Sequence, residues 1–187
     1  MRESTNRPNL WYLVQRAAPG PGSGLAAAAA QLVTSLQQRH QSGPEDRIIV
    51  YCPSIALVAE LAGLLGCPAY TSEAGGGTAE GKVAIIEQWL RGGGPGGAAL
   101  GAIVATSALG PGFDYPNVRY VVHIGAPSLM SDFAQESGRA GRGGGLAASI
   151  VLLPAAWAPA LGRPLDPDRE AMQLFLTQQY CSRGVMN

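Results

Sequence analysis

The chain has 187 residues, of which 47% are hydrophobic, and its 13 basic side chains balance its 13 acidic ones. The hydrophobic fraction excludes a wholly disordered chain, and the length suits one domain with a buried core. A formal net charge of zero excludes nucleic-acid binding by bulk electrostatics, so any contact with phosphates must be local.

Strands and helices alternate along the chain, separated by loops rich in glycine and proline. The hydrophobic pattern predicts strands at residues 10–15, 47–52, 68–71, 102–106, 118–124 and 148–153. Helices are predicted at residues 25–40, 55–65, 78–90, 128–137 and 166–180. Because the strands are apolar throughout, the pattern predicts a three-layer α/β/α domain, with a mainly parallel sheet covered by helices on both faces.

In a parallel sheet, ligands bind beyond the carboxyl ends of the strands. Polar residues and glycines follow the predicted strands after Cys52, after Thr106 and around the helix that follows Ile124. We therefore expect the chemistry at that edge of the sheet. The stretch 154–167, rich in Pro and Ala, is the candidate boundary, so residues 1–160 should form one domain and 161–187 a linker and closing helix.

The segment 135–142 carries two arginines, Arg139 and Arg142, each preceded by a glycine. Arginine suits the recognition of a transferred phosphoryl group, because its planar fork makes bidentate hydrogen bonds and keeps its charge. The small neighbours should let both guanidinium groups approach a ligand. The residues alone also allow a solvated basic loop at a helix end.

Three ordered segments, at residues 47–54, 103–123 and 135–142, resemble motifs IV, V and VI of the second RecA-like lobe of superfamily 2 helicases. The RecQ family is the one that they resemble most. Residues 6–10 resemble the start of this lobe in that family, and residues 88–92 resemble the helix end before motif V. The resemblance covers residues 5–153, and it implies a RecA-like lobe at 1–160 and the start of a RecQ-type C-terminal region at 161–187.

The resemblance implies an ATP site on which Arg139 and Arg142 act as catalytic residues, with Arg142 as the arginine finger. Four further residues are expected to bind ATP: Gly110, Gly112, Asp114 and Gln135. Three hydroxyl residues are expected to contact the DNA backbone: Ser54, Thr106 and Ser107. The residues themselves also allow a simple turn at Asp114 and a plain helix N-cap at Ser54.

The resemblance implies a motor that uses ATP and Mg²⁺, moves 3′-to-5′ and serves DNA repair and recombination. Such a motor needs a phosphate loop, G-x-x-x-x-G-K-[S/T], and an acidic Mg²⁺-binding motif. Residues 76–83 nearly match the phosphate-loop pattern, but Val83 has no hydroxyl for Mg²⁺, so we predict an ordinary loop and helix there. An N-terminal helicase lobe and DNA are therefore the expected partners, and the chain alone should not hydrolyse ATP.

We expect an intracellular protein, in the nucleus of a eukaryote or the cytoplasm and nucleoid of a bacterium. No apolar run is long enough for a membrane span, and three widely spaced cysteines form no disulfide framework. Cys52 and Cys67 are predicted to be small core residues. Cys181 resembles the first zinc ligand of the subdomain that follows this lobe in the family, but one cysteine makes no zinc site, so we predict no zinc.

Three positions depart from the family pattern. Ile55 stands where the family has Arg, Thr71 where it has His, and Gly143 where it has Asp. These departures favour an alternative function, a non-catalytic nucleic-acid or partner-binding module that keeps the helicase-lobe fold.

Overall fold

The computed structural model describes residues 7–18, 24–39, 45–91, 101–109, 114–159 and 166–178. Its strands are β1 (Leu10–Arg16), β2 (Arg47–Tyr51), β3 (Ala69–Tyr70), β4 (Ala102–Ala105), β5 (Val118–Ile124) and β6 (Ala147–Leu153). Its α-helices are α1 (Leu25–Arg39), α2 (Ile55–Leu65), α3 (Ala79–Leu90), α4 (Met130–Ser137) and α5 (Pro167–Thr177). A 3₁₀ helix (Ala74–Gly77) precedes α3. Each predicted strand and helix is thus confirmed, with differences only at its ends.

Within the described ranges, the strands form one six-stranded sheet in the order β1-β6-β5-β2-β4-β3. Every neighbouring pair is parallel. The central strand β2 is buried along its whole length, as expected for a parallel sheet that is covered on both faces. The predicted fold class is therefore confirmed.

Helices cover both faces of the sheet, and alternate residues of each strand point to opposite faces. On one face, α1 and α2 bury a cluster around Val33, Leu61 and Val50. On the other face, α3 packs Trp89 over the centre, while α4 and α5 cover β6 and β1. These clusters lie between the sheet and the helices on each face, as in a three-layer α/β/α domain.

The closing helix α5 packs directly on the sheet domain. Its residues Met172, Phe175 and Leu176 are buried in one cluster with Phe133 of α4 and Leu153 of β6. Asp166 caps the helix by accepting hydrogen bonds from the first backbone N–H groups. The assignment of residues 161–187 to the start of a further region stays a prediction.

Helix α5 also supplies the cap that α4 lacks in its own sequence. Leu129, the N-cap residue of α4, has no side chain that could accept a hydrogen bond. The carboxylate of Asp168 instead accepts from the Ser131 backbone N–H at 3.0 Å and from the Ser131 hydroxyl at 2.7 Å. One of the unpaired donors at the start of α4 is therefore satisfied by another helix.

Asp168→Ala should lower the free energy of unfolding by about 1 kcal/mol, the usual effect of losing a helix cap. Glu170→Ala is the control, because Glu170 is an exposed acidic residue in the same first turn of α5, and a separation of two residues places it on a different side of the helix from Asp168. It should change stability by less than about 0.5 kcal/mol. Urea unfolding followed by circular dichroism measures both, and equal effects would exclude the capping role of Asp168.

Candidate functional site

The loop after α4 carries both candidate arginines and lies at the amino end of β5. The Gly141 N–H donates to the carbonyl of Val118, the first residue of β5, at 2.8 Å, and the Gly143 N–H donates to Pro116 at 3.0 Å. The loop reaches this edge because α4 starts after the carboxyl end of β5 and runs back along the sheet. Arg142 therefore lies near the amino edge of the sheet, and not at the carboxyl edge where we expected the candidate site residues.

Arg142 is paired with Asp114, 28 positions earlier in the sequence. Its Nη1 donates to Asp114 Oδ1 at 2.8 Å, and its Nε donates to the Gly138 carbonyl at 3.2 Å. The Arg142 side chain is 39% exposed and that of Asp114 is 73% exposed. The structure thus brings together a predicted catalytic residue and a predicted ATP-binding residue, and leaves both open to solvent.

Arg139 has a different environment from Arg142, although the sequence suggested that both could approach a ligand. Arg139 is only 5% exposed. Its side chain donates a hydrogen bond to the Tyr51 hydroxyl. In turn, the Tyr51 hydroxyl donates to the Leu109 carbonyl at 3.3 Å. The expectation that small neighbours leave both guanidinium groups unobstructed is therefore wrong for Arg139, because this side chain is directed inward.

Sequence patterns did not reveal the buried polar cluster around Arg139. The Tyr51 ring stacks on His123, with centroids 5.5 Å apart, and His123 Nε2 lies 3.0 Å from Glu136 Oε2. Burial raises the pKa of the Tyr51 hydroxyl well above its ordinary value, and the nearby Arg139 charge only partly offsets this effect. Tyr51 is therefore a neutral hydrogen-bonding group at any physiological pH.

The three predicted DNA-contacting residues lie at the carboxyl ends of two adjacent strands, β2 and β4. Ser54 is exposed at the start of α2, and its Oγ accepts from the Leu57 N–H at 3.3 Å, which confirms the N-cap. Thr106 accepts from the Ala108 N–H at 3.3 Å, and Ser107 is exposed beside it. Because β2 and β4 are neighbours, the structure places these three hydroxyls on one edge.

The remaining predicted ATP-binding residues are only partly described. Gln135 lies exposed on α4. Gly110 and Gly112 lie outside the described residues.

The near match to a phosphate loop, residues 76–83, follows directly on a tight turn at Gly75, since a Cβ on Gly75 would lie 2.3 Å from the Gly81 carbonyl carbon. Because the loop closes on itself and Thr78 caps α3, Lys82 belongs to an ordinary helix.

Two of the three departures from the family pattern, Gly143 and Ile55, lie next to candidate site residues. A Cβ on Gly143 would lie 2.9 Å from the Pro116 carbonyl oxygen, so a larger residue would push the loop away from β5. Ile55 is 46% exposed at the first position of α2, next to Ser54. The first departure is matched by close packing, and the second leaves an apolar side chain in solvent.

The two described cysteines are free thiols in or beside the core. Burial raises the pKa of Cys52 to about 12 and that of Cys67 to about 11, so neither is a nucleophile at neutral pH. The described ranges bring together no group of three or more His, Cys, Asp or Glu side chains that could hold a metal. No helix in this part of the chain is long and apolar enough to span a membrane.

Two further residues contact the loop between α4 and β6, residues 138–146, which we call the arginine loop. The sequence indicated these two residues only as part of the opening segment. Arg7 donates to the Gly138 carbonyl, and Asn9 donates to the Gly141 carbonyl. No local pattern could have revealed these contacts, because the partners are 131 and 132 positions apart.

Tyr51→Phe should lower the free energy of unfolding by about 1.5–3 kcal/mol, because it removes a hydrogen bond to a buried charged group. Tyr70→Phe, at the end of β3, is the matched control, since no bond of its hydroxyl is found among the described residues. It should cost less than about 0.5 kcal/mol. Urea titrations measure both, and a neutral Tyr51→Phe would contradict the importance of the Arg139 contact.

Residues 28–144 match the family model described as the helicase conserved C-terminal domain. The chain is 36% identical over 153 residues to a probable ATP-dependent DNA helicase, RecS, of Bacillus subtilis, covering 80% of this chain and 27% of that protein. It is 33% identical over 135 residues to an ATP-dependent DNA helicase, RecQ, of Synechocystis, covering 70% and 26%. The chain thus spans about a quarter of the length of these two relatives.

Solved structures agree with the fold. The Mycobacterium smegmatis helicase Lhr, in a structure with single-stranded DNA and AMP-PNP, superposes with a TM-score of 0.61 at 18% identity. The alignment covers 95% of this chain and 22% of that one. The match to the domain model, together with the RecQ-type relatives, is decisive: the chain belongs to the helicase conserved C-terminal domain family, in the form found in RecQ-like DNA helicases.

Proposed function

We propose that the chain is the C-terminal motor lobe of an ATP-dependent DNA helicase of RecQ type that moves 3′-to-5′. The observation that carries this proposal is the exposed pair of Arg142 and Asp114, the residues of motifs VI and V that the resemblance assigns to ATP. An N-terminal lobe would supply the phosphate loop and the acidic groups. This lobe would supply the arginines and part of the DNA contact.

Arg142 is the proposed arginine finger. During phosphoryl transfer, negative charge redistributes over the phosphoryl oxygens, and a preorganised guanidinium stabilises it. Exposed ion pairs contribute only about 0–1 kcal/mol, so a nucleotide triphosphate can replace Asp114 as the partner of Arg142 at little cost. Asp114 would then be free to accept a hydrogen bond from the ribose.

The other proposed ATP-site residues have supporting roles. Arg139, the other arginine that the resemblance assigns to catalysis, is buried beside Tyr51, and we assign it the supporting role of holding the loop that carries Arg142. Gln135, exposed on α4, would bridge the nucleotide and the DNA side. Gly110 and Gly112 would allow the backbone of motif V to turn tightly near the nucleotide.

The DNA contact is proposed at Ser54, Thr106 and Ser107. Hydroxyls and the backbone N–H groups at the start of α2 can hold phosphates without a basic surface. This mode of binding agrees with a net charge of zero. ATP carries Mg²⁺ in such motors, and we assign the metal ligands to the N-terminal lobe, since the described residues offer no acidic cluster.

One observation favours the alternative of a non-catalytic nucleic-acid or partner-binding module. Ile55, which takes the position of a family arginine, is exposed beside the proposed DNA contact. An apolar residue there suits a protein partner better than a phosphate. The experiment below separates the two functions.

The test joins this chain to the N-terminal lobe of the Bacillus subtilis RecS relative. The chain alone should show no ATP turnover, and the joined protein should show turnover that DNA stimulates. Arg142→Ala should lower kcat by about a thousandfold, the lower limit for arginine fingers. Arg91→Ala is the control, because Arg91 is an exposed arginine paired with Glu87 on α3, and it should leave kcat unchanged.

Three results would overturn parts of the proposal. Mg²⁺-dependent turnover by the chain alone, abolished by Lys82→Ala, would exclude a half-motor. Full turnover by the joined protein carrying Arg142→Ala would exclude Arg142 as the arginine finger. DNA or partner binding by a folded joined protein that never hydrolyses ATP would support the alternative.

A further inference from the structure

The segment that leads into β1 contacts the arginine loop through Arg7. Its Nη1 donates to the Gly138 carbonyl at 2.6 Å, and its Nη2 donates to the Ala140 carbonyl. Gly138 is the C-cap of α4, where backbone carbonyls lack helical partners and carry partial negative charge. The Gly138 oxygen also accepts from Arg142 Nε at 3.2 Å. Arg7 and Arg142 therefore share one acceptor.

Asn9 contacts the other half of the same loop. Its Nδ2 donates to the Gly141 carbonyl at 2.8 Å and to the Gly145 carbonyl at 2.9 Å. Its own carbonyl accepts from the Ala147 N–H, at the start of β6, at 2.9 Å. Gly141 has a φ of 67°, and a Cβ there would lie 2.7 Å from Asn9 Nδ2. Asn9 thus closes the turn on both sides of Arg142.

We propose that Arg7 and Asn9 are positioning residues for Arg142. Their four hydrogen bonds fix the backbone on both sides of Arg142, so they restrict the positions that the Arg142 guanidinium can adopt. Preorganised charge is what stabilises a phosphoryl-transfer transition state, and a displacement of about 1 Å can cost up to a hundredfold in rate. This inference rests on the proposed function, since it takes Arg142 as the group that meets the phosphates.

The same strand offers a matched control. Arg16, at the far end of β1, also donates through Nη1 to a backbone carbonyl, that of Trp157, at 2.7 Å. This contact lies at the carboxyl end of the strand, whereas Arg7 lies before its amino end. Arg16→Lys therefore removes an equivalent guanidinium–carbonyl contact without touching the arginine loop.

The first measurement is amide hydrogen exchange on the 187-residue chain. Asn9→Asp replaces two donors by an oxygen that repels the Gly141 and Gly145 carbonyls. It should speed exchange at Gly141 and Gly143 by about tenfold, while the amides of β5 and β6 stay protected. Arg7→Lys keeps the positive charge but loses the planar guanidinium that contacts two carbonyls, and it should give a smaller increase in the exchange rate. Arg16→Lys should leave this loop unchanged.

Unchanged exchange at Gly141 and Gly143 in both variants would overturn the inference. Faster exchange spread evenly over the whole sheet would overturn it too, because that result describes a merely structural role. Arg7→Lys covers the case in which Asn9→Asp does not fold.

The second measurement is ATP turnover by the protein joined to the RecS lobe. Arg7→Lys and Asn9→Asp should lower kcat by about ten- to a hundredfold, with KM for ATP changed by less than about threefold. Arg16→Lys should match the parent protein. If Arg142→Ala lowers kcat and the two variants do not, the positioning role fails and the proposed function stands. If Arg142→Ala has no effect, the proposed function fails, and hydrogen exchange still decides whether the loop is held.

Discussion

Parallel strands cannot be joined by tight turns, so each connection must return from the carboxyl edge of the sheet to the amino edge. The connection from β4 to β5 begins with Thr106 and Ser107 at one edge and ends with Asp114 near the other. The connection from β5 to β6 carries α4 back to the amino edge and delivers Arg142 beside Asp114. The separation of the proposed DNA contact from the proposed ATP contact therefore follows from strand direction.

The two arginines of motif VI differ in the free energy that is needed to break their present contacts. Arg142 makes an exposed ion pair with Asp114, and such pairs contribute only about 0–1 kcal/mol. Arg139 is buried, and hydrogen bonds to buried charged groups contribute about 1.5–3 kcal/mol. We infer that Arg142 can change partner when a nucleotide binds, while Arg139 keeps its contact with Tyr51. The Tyr51 hydroxyl also donates a hydrogen bond to the Leu109 carbonyl, so Tyr51 links Arg139 to the loop after β4.

Local sequence was sufficient for the secondary structure. Apolar runs predicted the strands, and the side chains of Ser54, Thr78 and Asp166 cap the helices that follow them. Strand order was not predictable in this way, because periodicity does not encode that β1 lies next to β6. The Arg7 and Asn9 contacts depend on that strand order and were not predictable from local sequence. The burial of Arg139 depends on tertiary packing and was not predictable either.

The glycine at position 143 shows how a departure from a family pattern can be part of the site. Its N–H donates to the Pro116 carbonyl, and a Cβ there would come within 2.9 Å of the same oxygen. Pro116 lies two residues after Asp114, so this contact brings the segment that precedes β5 and carries Asp114 close to the loop that carries Arg142. A larger residue would widen the distance between them unless β5 moved as well. Glycine at this position therefore brings no charge, and it lets the loop that carries Arg142 approach Pro116 closely, two residues from Asp114.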